Sequence, residues 1–166
     1  MLNNIIYQPN FLSHIHQLSI KKSIDLSKMT LEQHSYAINR YITELPKTHP
    51  AYLFHTPFMV QKIANILHLP KLVPAPHPIE LRLYPPGSQM LFHKDESYQH
   101  NRTFELVYTI YNTSDSKFVW KKNGVHELTP KNNSIIIVES EDIEHAVTPV
   151  TQGYRLILKV SYILPA

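Results

Sequence analysis

Apolar and polar residues change their rhythm near residue 79. From there they alternate with a period of two in eight short stretches: IELRLY (79–84), QMLFH (89–93), TFELVYTIYN (103–112), KFVWK (117–121), VHEL (125–128), SIIIV (134–138), EHAV (144–147) and YRLILKVSYI (154–163). Successive side chains of a strand leave opposite faces, so this alternation predicts strands. Eight of them, punctuated by turn signals, predict a sandwich or barrel. The three glycines fall between the stretches, at Gly87 in PPGS, Gly124 in an Asn-Gly hairpin pair and Gly153 in TQGY.

Ahead of residue 79 the rhythm is helical. Thr30 with Gln33 forms a capping-box pattern, and Leu31, Ala37, Ile38, Tyr41, Ile42 and Leu45 follow at roughly helical spacing before Pro46, predicting a helix over about 30–46. Thr56 and Pro57 are an N-cap and first-turn pair leading into Phe58, Val60, Ile63, Ala64, Ile66 and Leu67 before Pro70, which predicts a second helix. The segment PKLVPAPHP (70–78), with four prolines, reads as an extended connector. The pattern therefore predicts an α+β chain, with a mainly helical scaffold over 1–78 that supports a β barrel over 79–166.

Composition narrows this picture. With 166 residues, 43% of them hydrophobic, the chain can bury one sizeable core, so 1–166 is expected to be a single domain. There is no cysteine, which excludes disulfides, thiolate metal sites and cysteine nucleophiles, so any metal must be held by histidines and carboxylates. The net charge of +3 is spread along the chain and is too diffuse to argue for nucleic acid. The opening MLNNIIYQPNFL lacks a basic region followed by a long apolar stretch, and the apolar run Ile135 to Val138 is far below the roughly 20 residues of a membrane span. These features predict a soluble, cytoplasmic protein with no membrane partner.

The candidate chemistry starts at FHKDES (92–97). His93 and Asp95 are two apart, which on a strand puts both on one face and turns Lys94 away. Alone, the pair is either half a metal site or two polar residues at a strand end. A two-histidine, one-carboxylate site for non-haem Fe(II) needs a second histidine from a distant strand. His145 is the candidate. It opens HAVTPVTQGYR, where a short strand, a glycine turn and another strand bring Arg155 back beside the site. A guanidinium there suits the far carboxylate of 2-oxoglutarate, because its fork binds carboxylates bidentately; Lys159, two strand steps further on, is a second candidate cation. His14 and His16 share the two-residue spacing but have no carboxylate in a comparable motif, and read as surface or packing residues. Trp120 reads as core. Arg102 reads as flanking an entrance or pairing with Glu96 or Glu105.

The order of these pieces resembles the prolyl-hydroxylase branch of the Fe(II)/2-oxoglutarate dioxygenases. The pieces are RLYPPG (82–87), H-x-D (His93, Asp95), an R-T-x-x-x-x-Y strand (Arg102, Thr103, Tyr108), a proline-led strand (130–138) and H-x-V-x-P-V-T-x-G-x-R (145–155). The resemblance covers about residues 79–163. It implies a double-stranded β-helix (jelly-roll) barrel with helices packed outside. His93, Asp95 and His145 would be the iron ligands and catalytic centre, and Arg155 the salt-bridge partner of 2-oxoglutarate. Tyr84 would contact that cosubstrate through its hydroxyl, and Tyr108 would add a second contact. The cosubstrates would be 2-oxoglutarate and O2, with ascorbate as a possible reductant. The implied reaction hydroxylates a C–H bond, of a prolyl or other residue in a protein or peptide, and releases succinate and CO2.

This chain departs from the family where SDSKFVWKKNG stands for a Gly-Gly-Glu-Thr segment, and where Ser161 stands for a tryptophan; both departures bear on the substrate pocket. Three alternatives stay open. The first is the same chemistry on a free amino acid or other small molecule. The second is a nucleic-acid demethylase of the AlkB type, disfavoured because Ser161 stands where that family has a second arginine. The third is a metal-binding β-barrel interaction domain without catalysis.

Overall fold

The structure is a computed structural model that describes residues 5–166; the first four residues of the opening segment lie outside the described residues. In chain order the elements are β1 (Ile6–Gln8), α1 (His14–Lys22), β2 (Thr30–Glu32), β3 (Ala37–Ile38), β4 (Arg40–Glu44), α2 (Pro57–Ile66), β5 (Val73–Pro74), β6 (Glu80–Tyr84), β7 (Gln89–His93), β8 (Thr103–Asn112), β9 (Phe118–Lys121), β10 (Val125–Leu128), β11 (Ser134–Glu139), β12 (Glu144–Val147) and β13 (Arg155–Ile163). Short 3-10 turns lie at Leu26–Lys28, Pro50–His55 and Tyr98–His100.

Two antiparallel sheets face each other. The larger has the order β1-β11-β8-β13-β6-β4-β2, with β5 also paired to β13, and the smaller has the order β10-β9-β12-β7-β3. From β6 onward the chain crosses between them: β6 large, β7 small, β8 large, β9 and β10 small, β11 large, β12 small, β13 large. That winding is a double-stranded β-helix, the jelly roll expected of this chain.

The large sheet is covered on both faces, and its alternation sorts the two. On β13, Leu156, Leu158, Val160 and Tyr162 point to the helix side; on β8, Phe104, Leu106, Tyr108 and Ile110 do the same. They pack with Met59, Val60, Ile63 and Ala64 of α2, and with Phe54, in the main core. Each such side chain removed from water contributes about 1.5–3 kcal/mol. Tyr162 is fully buried there and donates its hydroxyl to the Phe54 carbonyl at 2.8 Å. The opposite set, including Glu105, Val107, Arg155, Ile157 and Lys159, lines the barrel interior.

The eight expected strands of the barrel form within one residue of their anticipated limits. The helix begun by Thr56 and Pro57 forms as α2; the Thr56 hydroxyl accepts from the Met59 N–H at 3.4 Å, and the helix ends at Ile66, ahead of Pro70. The 70–78 connector is largely extended and contributes β5.

The expected helix over 30–46 does not form. The segment makes β2, β3 and β4 instead, so the region 1–78 is a mixture of helix and strand rather than a mainly helical scaffold. Apolar spacing in 30–46 fits either structure. What decides is the open edge of the large sheet, where β4 pairs in register with β6 (Ile42 opposite Arg82) and β2 then pairs with β4. Asn39, in the left-handed region at φ 51°, breaks the backbone between β3 and β4. The unanticipated helix is α1, capped by Ser13, whose apolar stripe is thin: Ile20 alone is fully buried in it, and His14 and His16 lie exposed.

Gly153 holds the turn that leads into β13. Its φ is +70°, and a Cβ there would collide with the backbone of Thr113 and Ser114, 2.6 Å from the Thr113 carbonyl carbon. Gly153→Ala is expected to lower unfolding free energy by about 2–4 kcal/mol, from the left-handed strain plus the forced displacement. Urea denaturation of the two proteins checks this.

Candidate active site

His93 ends β7 and His145 lies on β12, and the two are paired directly across the strands. Their rings are 4.4 Å apart. The pairing depends on a bulge: Met90 pairs with Val147 and His93 with His145, so β7 carries one residue more than β12 over this stretch. Met90 faces the barrel interior. Strict alternation would then send His93 to the outer surface, but the extra residue leaves Leu91 and Phe92 both outward-facing and turns His93 back inside. Asp95 follows just past the strand end.

The three side chains converge. Asp95 Oδ1 lies 3.6 Å from His93 Nε2 and Oδ2 lies 3.4 Å from His145 Nε2, and one donor atom from each residue falls within 4.8 Å of the others. Donors on one face of an octahedral ion, each about 2.1 Å from it, sit roughly 3 Å apart, so a small inward adjustment brings all three onto one cation. The tautomers also suit this. His93 Nδ1 hydrogen-bonds the Leu91 carbonyl at 2.8 Å and His145 Nδ1 the Ile143 carbonyl at 3.1 Å. A carbonyl only accepts, so each Nδ1 carries the proton and each Nε2 lone pair points at the cluster. His93 Nε2 is buried with no hydrogen-bond partner, as a metal-directed atom would be.

Electrostatics favour the ligating forms of Asp95 and His145. Burial alone would raise the Asp95 pKa, but the neighbouring His93, Lys159 and His145 hold its carboxyl well below the usual carboxylate range. Burial pushes His145 below the ordinary imidazole value. A neutral imidazole and an ionised carboxylate are the species a divalent ion binds. Tyr36 stacks on His93 at 4.3 Å and 4°, and Phe118 lies against His145 at 5.5 Å, so aromatic walls hold both rings.

A narrow cavity runs inward from Asp95 and His145 between the sheets and is lined by Tyr84, Met90, Ile157 and Arg155 among others. Arg155 is 1% exposed and its Nε has no partner. Among the described residues it makes no ion pair with a carboxylate. Burial pulls its pKa down to about 10, against the influence of Tyr84. A buried guanidinium without an anion is costly, and a carboxylate ligand would relieve that cost. Tyr84, paired across the strands with Arg155, is likewise buried in this cavity.

The Tyr108 contact is corrected. Its strand sends Glu105 and Val107 into the cavity, so Tyr108 faces the helix side. There it packs on Phe54 and donates its hydroxyl to Asn133 Oδ1 at 3.0 Å. Lys159 stands not at the Arg155 end but at the metal end, 3.6 Å from both Asp95 Oδ1 and Glu105 Oε2. Arg102 pairs with Glu139 on the surface rather than with Glu96 or Glu105. Trp120 lies in the core beside Phe118.

Sequence reasoning missed two residues. Tyr36 had no motif to mark it. Arg40 sat inside the supposed helix; it is buried and donates to the Tyr84 hydroxyl at 3.0 Å. Only a period-two reading of 40–44 could have sent it into the barrel. Outside the cavity, an open cleft of about 390 Å³ adjoins Asp95, Glu105 and Lys159 and is bordered by Tyr36, Glu44, His77 and Glu96.

No protein-family model matches the chain, and no curated protein matches it either. Its fold does match solved structures. A prolyl-4-hydroxylase from Pseudomonas putida superposes with a TM-score of 0.76 at 15% identity, over 98% of this chain and 94% of that one. A 2OG-Fe(II) oxygenase family protein from Burkholderia pseudomallei gives 0.79 at 12% identity, over 96% and 85%. A prolyl hydroxylase from Trichoplax adhaerens, in complex with a peptide fragment of hypoxia inducible factor, gives 0.75 at 14% identity, over 98% and 84%. The chain has the double-stranded β-helix fold that these oxygenases share.

Replacing Asp95 with Asn, or His145 with Ala, is expected to weaken divalent-metal binding by more than about a hundredfold while the fold persists. Calorimetric titration with Mn(II), alongside a circular dichroism spectrum, checks both halves of that statement.

Proposed function

We propose that the chain is a dioxygenase that uses Fe(II) and 2-oxoglutarate to hydroxylate a C–H bond, with a peptidyl substrate, prolyl or another residue, as the favoured class. One observation carries the reading. A facial set of two imidazoles and one carboxylate stands at one end of a cavity, and a buried guanidinium without an anion lines the same cavity. That spacing of opposite chemistries suits a dicarboxylate chelated at one end and ion-paired at the other.

When bound, iron, 2-oxoglutarate and O2 together supply oxidative decarboxylation to succinate and CO2, with one oxygen atom passing to substrate. The chain's own residues bind and orient. His93, Asp95 and His145 would hold the ion, and would leave positions on it free for the cosubstrates. Arg155 pairs with the far carboxylate of the cosubstrate in a site that excludes water, where the attraction is strongest. Tyr84 offers its hydroxyl to the same carboxylate. Met90, Val147 and Ile157 close the cavity with apolar surface and limit solvent access. Ascorbate would act as an external reductant and needs no site in the barrel.

The peptidyl substrate is favoured by the open cleft beside the metal ligands, and by two fold neighbours being prolyl hydroxylases, one of them holding a peptide. A free amino acid or other small molecule is the competing substrate. A polyanionic nucleic acid is disfavoured, because Glu44, Glu80 and Glu96 border the cleft.

Anaerobic addition of Fe(II) and 2-oxoglutarate is expected to produce a weak visible charge-transfer band that neither gives alone. In Arg155→Met the half-saturating 2-oxoglutarate concentration should rise roughly tenfold to a hundredfold, as expected for losing a charge-assisted pair. Correctly folded protein that gives no band discards the oxygenase reading in favour of a binding module. Incubation of peptides with iron, ascorbate and 2-oxoglutarate, read by mass spectrometry for the gain of one oxygen, then identifies the substrate.

A further inference from the structure

Arg40, on β4 and ahead of the region that carries the family resemblance, contacts Tyr84 and Met90 of the cavity wall from behind. It is 2% exposed, and its fork points two ways. On one side Nε and Nη2 donate to Glu32 Oε1 of β2, the former at 2.7 Å. On the other, Nη1 donates to the Tyr84 hydroxyl at 3.0 Å and lies 2.9 Å from Met90 Sδ.

A guanidinium has donors only, so the Tyr84 oxygen must accept from Arg40 and its own proton must go elsewhere. Among the described residues the acceptor within reach is the Met90 thioether at 3.4 Å, a weak one. Arg155 lies 6.0 Å from the centre of the Tyr84 ring and, being another donor, cannot accept that proton. A phenolic O–H prefers the plane of its ring, with two orientations. Arg40 occupies the lone-pair side and removes the orientation that would aim the proton at itself.

We propose that Arg40 is a positioning residue for the cosubstrate: it holds the Tyr84 hydroxyl as an acceptor, so that the O–H is presented to the carboxylate that Arg155 binds. The inference rests on reading this cavity as the 2-oxoglutarate site. Glu32 offsets part of the Arg40 charge, so Arg40 acts on the Tyr84 hydroxyl rather than as the partner of the carboxylate; Arg155 supplies that charge. The fully buried Tyr84 supports the same arrangement. Burial would raise its pKa, but Arg40 first, then Arg82 and Arg155, hold it below the ordinary phenol value. A hydroxyl so polarised is a stronger donor. The strands β2 and β4 thereby become part of the cosubstrate pocket.

The test measures 2-oxoglutarate affinity by calorimetry on Mn(II)-loaded protein, without turnover, for Arg40→Met, Tyr84→Phe, the double variant and Arg155→Met. Arg40→Met and Tyr84→Phe are each expected to weaken binding roughly tenfold, with the double variant no weaker than either single one and Mn(II) affinity within about twofold of the parent. In turnover, the KM for 2-oxoglutarate should rise while kcat at saturation holds. If Arg155→Met weakens binding and Arg40→Met does not, the positioning role is overturned and the reading of the cavity stands. If the two single losses multiply in the double variant, Arg40 does not act through Tyr84, which also overturns it. If Arg155→Met leaves the affinity unchanged, the cavity reading itself fails. Should Arg40→Met not fold, Arg40→Lys, which keeps the cation and loses the fork, takes its place with the same expected loss, and parent-like affinity in it overturns the proposal.

Discussion

The register between β7 and β12 is the constraint on which the site rests. Side chains of a strand alternate strictly, so a slip of one residue would send an imidazole to the wrong face. Here His93 and Met90 both face inward although three positions separate them, which alternation forbids. The extra residue in β7 resolves the conflict by placing Leu91 and Phe92 on the outside together. Two exposed hydrophobic side chains in succession are thus the visible counterpart of a correctly aimed ligand. The bulge also frees the chain just beyond the strand to carry Asp95 back toward both imidazoles.

The interior that this register opens is unusually charged for a barrel core, and its charges are sorted by pairing. Arg40 is matched by Glu32, Arg82 by Glu80 at 2.8 Å, and Lys159 by Asp95 and Glu105. Burial raises the Glu105 pKa despite Lys159 nearby, and the Ser161 hydroxyl donates to it at 2.6 Å. Each pair holds down the desolvation cost of its members. Arg155 is the departure from that rule. Its guanidinium is as deeply buried as any of them and makes no ion pair among the described residues; the Tyr84 ring 6.0 Å away is its near neighbour, and its burial cost is left largely uncompensated by the chain. A folded domain retains such a group where binding uses it.

Much of this was legible in the chain. The strands from 79 onward announce themselves by alternation, and His93, Asp95, His145 and Arg155 stand out because their residue types and order make sense only together. Two expectations failed, each for its own physical reason. The 30–46 segment has apolar spacing that suits helix or strand, and the free edge of β6, a feature of the assembled sheet, decides between them. Tyr108 was assigned to the wrong face because both faces of β8 are buried, so burial does not distinguish them. The composition of the two alternating sets does: Phe104, Leu106, Tyr108 and Ile110 are the more apolar and go to the helices, whereas the set that faces inward with Val107 includes the carboxylate of Glu105. In a sheet covered on both sides, the more polar set marks the functional side.

The N-terminal segment shows the same logic from the other direction. Viewed as scaffold, β2 to β4 need only cover the edge of β6, and apolar residues would do that more cheaply than a buried guanidinium with its carboxylate. Arg40 instead spans from Glu32 to the Tyr84 hydroxyl, joining the sheet edge to the cavity end where Arg155 waits. Tyr36, between β2 and β3, does likewise at the metal end by stacking on His93. One segment therefore braces both ends of the cavity, by a donor network at one and an aromatic face at the other. Neither contact adds much to the hydrophobic core; each instead fixes the orientation of a side chain at the site, the Tyr84 hydroxyl in one case and the His93 ring in the other.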